Sequence, residues 1–175
     1  MAGQSGRVIT IYVIDTSYLL EIYRVPGHSS EAFYKAIAIR LRQAIEADAR
    51  LYAPFPVIFE LANHIAHVAN GARRISLAEK LSNDIRSSAE TGIPWVIAPG
   101  PNKSVLLELS GLLEWIEDFE IAYAAQGLGL SDLAVTKQAD ALAHRHPEFA
   151  VHIWTTDKSL KAREPQTEPH AFVGD

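Results

Sequence analysis

Apolar residues run almost unbroken from Val8 to Ile14 (VITIYVI), and after Asp15, Thr16 and Ser17 a second apolar run starts at Tyr18. A short run of β-branched and aromatic residues without polar alternation is the pattern of a strand covered on both faces, as in a parallel sheet. From Ser30 to Ala47 the period changes: Phe33, Ile37, Leu41 and Ile45 recur every fourth position among Lys35, Arg40, Arg42 and Glu46. That spacing predicts an amphipathic helix, capped by Ser29 or Ser30. LYAP (51–54) predicts a second strand, and Pro56 suits the first turn of a helix carrying Val57, Leu61, Ile65 and Val68 towards Gly71.

A polar helix over about 76–90, a strand PWVIAP (94–99) and two helical stretches between Ser104 and Gln126 follow, the second ended by Gly127 and Gly129. Ser131 opens a helix to about His144, and VHIWT (151–155) is a further strand. Strands alternating with helices imply right-handed crossovers and an α/β fold, a parallel sheet with helices on both faces. Residues 1–175 read as one domain, with 1–7 as an extension and 164–175 as a polar tail whose AFV (171–173) is a candidate edge strand.

Composition narrows the chemistry. The chain is 48% hydrophobic and 21% charged, which suits one compact core, and it contains no cysteine, so disulfides, thiolate zinc sites and thiol nucleophiles are excluded. The leading MAGQSGR has no apolar core, and Asp15 interrupts the apolar stretch after it, so neither a signal peptide nor a membrane span is expected and the cytoplasm is the expected compartment. A net charge of -5 weighs against a polyanion partner.

The acidic residues change that balance. Asp15 and Asp157 each follow the carboxyl end of an apolar strand, Glu60 lies in the first turns after the second strand, and Asp132 stands at the start of a helix entered from a glycine-rich turn. Open parallel sheets collect ligands beyond the carboxyl ends of their strands, so the four carboxylates are expected to converge. Packed carboxylates repel and raise one another's pKa values unless a cation compensates them. The oxygen-only donor set calls for Mg²⁺ or Mn²⁺, and such a site serves phosphodiester hydrolysis. Each acid also has a structural alternative: Asp15 as a turn or cap residue, Glu60 and Asp132 as solvated acids at the positive end of a helix, and Asp157 as a helix cap.

VIDTSYLL (13–20), APFPVIFELAN (53–63), GLSDLAV (129–135) and TTDKSL (155–160) stand in an order that resembles the PIN-domain ribonucleases, closest in style to VapC-like toxins of toxin-antitoxin pairs. The resemblance implies a three-layer α/β/α fold and a metal-dependent endoribonuclease. It assigns Asp15, Glu60, Asp132 and Asp157 to the metal site, with Thr16 or Ser17 and Thr155 orienting ligands or strand ends. It also implies RNA as substrate, an antitoxin protein as partner and a homodimer. The alternative is a PIN-fold interaction module that keeps the acids without useful turnover.

Other candidates carry less. Lys158 and Lys161, at i and i+3 after Asp157, are the preferred phosphate contacts, with Arg73 and Arg74 next. His64 and His67 stand three apart, but without an HExxH pattern or an evident third ligand for zinc. His144 and His146 suit a helix end. The sequence contains no GxxxxGK[ST] phosphate loop and no GxSxG nucleophile elbow.

Overall fold

The computed structural model describes residues 8–98 and 109–174. Strand β1 (Thr10–Ile14) has four of its five residues buried and is paired in parallel on both sides, with β2 (Arg50–Pro54) and with β4 (Ala150–Trp154). Burial from both faces explains why its sequence shows no polar alternation. The short β3 (Val96–Ala98) pairs with the far side of β2, which gives a four-stranded, all-parallel sheet in the order β3-β2-β1-β4. Helices cover it in a three-layer α/β/α arrangement. The order reverses between β1 and β4, and the crevice beyond their carboxyl ends is the switch point where such sheets bind ligands.

Helix α1 (Thr16–Ile22) follows β1 directly and is capped by Asp15. Helix α2 (Glu31–Glu46) begins where Ser30 Oγ accepts from the Phe33 amide. Helix α3 (Phe55–Ala66) has Pro56 in its first turn, where the missing N–H costs no hydrogen bond. It stops short of Gly71, which instead opens α4 (Gly71–Thr91) behind an Asn70 cap, so the polar helix starts about a turn earlier than its sequence predicts. Gly92 at φ 73° ends α4. Helix α5 (Leu109–Asp118) continues through a π-helical turn, Phe119–Tyr123, and a 3-10 turn, Ala124–Gln126. Of the two helical stretches expected between Ser104 and Gln126, residues 104–108 lie outside the described residues, as does the extension 1–7. Helix α6 (Leu130–Arg145) leads to β4, and the four-residue α7 (Lys158–Lys161) follows it.

The tail corrects one expectation. Residues 171–173 form no strand, because side chains already satisfy the outer edge of β4. Gln166 Oε1 accepts from the Val151 amide at 3.1 Å and Glu164 Oε2 from the Ile153 amide at 3.3 Å. An edge covered in this way offers no ladder for a fifth strand. The tail is anchored by Glu168, buried to 6% exposure, whose carboxylate pairs with Arg40 of α2 and accepts from Lys161 Nζ at 2.8 Å and Trp154 Nε1 at 3.2 Å. Burial works to raise this carboxyl, but Arg40 and Lys161 outweigh it and hold it below its ordinary value. Arg40 also donates to Tyr18 Oη at 2.7 Å, and Tyr12, Tyr18 and Trp154 stack beside it. Among the described residues, no helix is long and apolar enough to cross a membrane.

Candidate active site

Asp15 is the last residue before α1, in extended backbone at the end of β1, and only 5% of it is exposed. Its Oδ2 accepts from the Ser17 amide at 3.2 Å, the Ser17 hydroxyl at 2.7 Å and the Thr155 hydroxyl at 3.0 Å. Both hydroxyls spend their protons on Asp15, so their oxygens are free to accept. Ser17 Oγ accepts from the Thr156 amide at 2.9 Å, and Thr155 Oγ1 accepts from the Asp157 amide at 3.0 Å. These bonds knit the ends of β1 and β4 together. Ser17 and Thr155 thus both hold the Asp15 carboxylate.

Thr16 serves a different acid. Its hydroxyl donates to Glu60 Oε2 at 2.8 Å, tying α1 to α3. Asp132 occupies the third position of α6, and its Oδ2 accepts from the Gly129 amide at 2.6 Å, closing the helix start. Asp157 caps α7, with Oδ1 accepting from the Ser159 amide at 2.6 Å and the Leu160 amide at 3.0 Å. All four acids line one pocket of about 550 Å³, together with Thr16, Ser17, His64, Thr156 and Lys158.

The cap roles and the convergence hold at once. Among the described residues, each of the four carboxylates has one oxygen anchored by protein donors and the other without one: Asp15 Oδ1, Glu60 Oε1, Asp132 Oδ1 and Asp157 Oδ2. None of the four belongs to an ion pair among those residues. Two of the four carboxyls are raised, Asp15 by burial and Asp132 by burial and the neighbouring negative charges. Burial raises the Asp15 carboxyl, and its hydrogen bonds from Ser17 and Thr155 only partly oppose that. Asp132 is pushed up to about 6, first by burial, then by the negative charge of Asp15, with Glu60 and Asp157 adding to it against the Gly129 hydrogen bond.

The donor set fits a hard divalent cation. Among the described residues, no three His, Asp or Glu side chains come close enough to grip one point. Mg²⁺ does not require that, because it keeps several waters and takes only one or two carboxylates directly.

The basic candidates separate. Lys158 lies on the pocket wall and is exposed. Lys161 faces the tail: its Nζ donates to Ile153 O at 2.9 Å, Glu164 Oε2 at 2.6 Å and Glu168 Oε2 at 2.8 Å. Helical spacing had set the two lysines on one face, but α7 is a single turn and the buried carboxylates draw Lys161 inward. Arg73 donates to the Tyr23 and Arg24 carbonyls and Arg74 to the Val68 carbonyl, so both hold α4 against preceding loops.

His28, on a loop with no sequence signal of chemistry, contacts His64 of the pocket wall. Its Nε2 lies 3.3 Å from Nδ1 of His64, which stands one turn beyond Glu60 on α3. Burial, and next the facing His28, lower the His64 imidazole below its ordinary value. His67 turns away and donates Nδ1–H to the Asn63 carbonyl at 2.7 Å.

No family model matches the chain, and no curated protein does.

Proposed function

We propose that the chain is a Mg²⁺- or Mn²⁺-dependent endoribonuclease that hydrolyses RNA phosphodiester bonds. The observation carrying this reading is the shared state of the four acids: one oxygen of each is fixed by the fold and the other is left for a ligand, around a single pocket at the switch point of the sheet. Purely structural caps have no need to meet, and their mutual repulsion at Asp132 opposes folding. Retaining them together is the pattern of a site preorganised for a cation.

Asp15, Glu60, Asp132 and Asp157 would hold the ion. When bound, it activates water towards phosphorus and stabilises the charge on the leaving oxygen. The chain's own residues supply the rest. Ser17 and Thr155 fix Asp15, Thr16 fixes Glu60, and the Gly129 amide fixes Asp132, so the free oxygens keep their relative positions. Lys158 offers the pocket rim a positive charge for a substrate phosphate.

The order of VIDTSYLL, APFPVIFELAN, GLSDLAV and TTDKSL further supports placing the chain among PIN-like ribonucleases of the VapC type, with an antitoxin protein as partner and a homodimeric assembly. The test is cleavage of generic RNA by purified protein with Mg²⁺ or Mn²⁺, with chelator and with Asp15→Asn. Metal-dependent cleavage lost in the variant is expected. A folded, metal-binding protein that leaves RNA intact would return the chain to the interaction-module reading. Co-purification with the product of an adjacent small gene tests the antitoxin.

A further inference from the structure

We propose that Gly174, in the tail, is a positioning residue of the acid pocket and acts through the peptide that joins Thr156 to Asp157. The tail follows the outer edge of β4 towards its carboxyl end: Gln166 bonds Val151, Glu168 bonds Trp154, and Gly174 reaches Thr156. That last approach leaves no room for a side chain. A Cβ at Gly174 would overlap the Thr156 carbonyl oxygen and carbon and also the Phe172 ring. Gly174 is not among the glycines at positive φ, so the need for glycine comes from this contact and not from a left-handed backbone.

Thr156 and Asp157 both line the acid pocket. The Thr156 carbonyl and the Asp157 N–H belong to one rigid peptide plane, so displacing the oxygen tilts the N–H. That N–H donates to Thr155 Oγ1 at 3.0 Å, and the Thr155 hydroxyl donates in turn to Asp15 Oδ2 at 3.0 Å. The Thr156 amide, on the preceding plane, donates to Ser17 Oγ, whose hydroxyl holds the same Asp15 oxygen. Gly174 therefore bears on the one peptide from which two of the acids take their places: Asp157 as part of it, and Asp15 through Thr155. This end of the tail is itself held, since Val173 packs against the core and the Ala171 carbonyl accepts from Arg40 at 3.5 Å. Only the consequence for cation binding rests on the metal-dependent reading proposed above.

The experiment follows metal-free protein at one pH by NMR, in wild type, in Gly174→Ala and in His170→Ala, a substitution of an exposed tail residue. In Gly174→Ala the Asp157 amide is expected to exchange about tenfold faster while the amides of α2 and α3 keep their rates. The carboxyl carbon signal of Asp15 should also shift, and in a Thr155→Val background Gly174→Ala should no longer move it, because the relay is gone. His170→Ala should change neither. An unmoved Asp15 signal in folded Gly174→Ala would overturn the proposal, even with faster Asp157 exchange, since the contact would then support the tail alone. Should Gly174→Ala not fold, wild type decides: Overhauser contacts from Gly174 to Thr156 or Asp157 protons support the contact, and their absence overturns it. With Mg²⁺ added, Gly174→Ala is expected to bind about tenfold more weakly than wild type, and equal affinities would overturn the positioning role. A wild type that binds no Mg²⁺ would count against the metal reading alone, because the NMR results are obtained without metal or RNA.

Discussion

Thr16 and Glu60 stand 44 positions apart in the chain and are joined by a 2.8 Å hydrogen bond that fixes one oxygen of the pocket's α3 carboxylate. Thr16→Val keeps the shape and removes the donor. It is expected to lower stability by about 1 kcal/mol and to weaken Mg²⁺ binding, while Thr16→Ser restores both. Urea midpoints and Mg²⁺ calorimetry check this; a Thr16→Val protein with unchanged metal affinity would show that Glu60 is oriented by other means.

The raised carboxyls predict the pH dependence of the metal-free protein. A group whose pKa is higher folded than unfolded binds protons preferentially in the native state, so stability falls as pH rises through that interval. For Asp132 the interval runs from the ordinary aspartate range up to about 6, and Asp15 acts in the same direction. Chelated protein should therefore lose stability between about pH 4 and pH 6, and Asp132→Asn should flatten that slope. Thermal melts across this range decide it. Equal slopes in the two proteins would remove Asp132 as the source.

Metal should reverse that loss at neutral pH. At a Mg²⁺ concentration ten times the dissociation constant, linkage gives about 1.4 kcal/mol of stabilisation. For a chain of this size that is a rise in Tm of roughly 3–6 °C. Asp15→Asn should abolish the rise without unfolding the protein, and its chelated form should melt no lower than wild type. Identical melts with Mg²⁺ and with chelator would count against the cation site.

The two lysines of α7 should behave differently. Lys158→Glu is expected to weaken RNA binding across sequences and reduce the salt slope by about one counterion. Lys161→Ala should leave that slope alone and destabilise the fold by about 3 kcal/mol, since Glu164 and Glu168 lose their shared cation. Both are measured in an Asp132→Asn background to prevent turnover. A salt slope lowered by Lys161→Ala would place the RNA path along the tail instead.

The acids were legible in the sequence because each sits next to a strong signal. Asp15 and Asp157 end apolar strands, Glu60 follows Pro56 into a helix, and Asp132 follows a glycine turn. The parallel sheet was legible for the same reason, since strands buried on both faces read as continuous apolar runs. What escaped depended on contacts between distant segments. Lys161 has the spacing of a surface lysine, and only Glu164 and Glu168 folding back against β4 draw it inward. The tail's AFV has strand-like residues, yet Gln166 and Glu164 had already taken the edge amides. His28 lies in a loop whose local sequence says nothing about His64. Gly71 can end a helix or begin one, and Asn70 immediately before it, whose side chain accepts from the Arg73 amide, decided for the latter.

The pairing of β1 with β4 sets a timetable for the living cell. Thr10 is matched to Ala150 and Ile14 to Trp154, so the pocket is shared between two strands whose partners lie far apart in the chain, β1 being translated well before β4. A growing polypeptide can form β1, β2 and their helices and still lack Thr155, Asp157 and Lys158. Until those residues emerge, Asp15 has neither its neighbour strand nor the Thr155 hydroxyl that helps hold it. Whatever chemistry the pocket performs is therefore withheld from the partly translated chain and begins only when the α7 segment has been synthesised and docked.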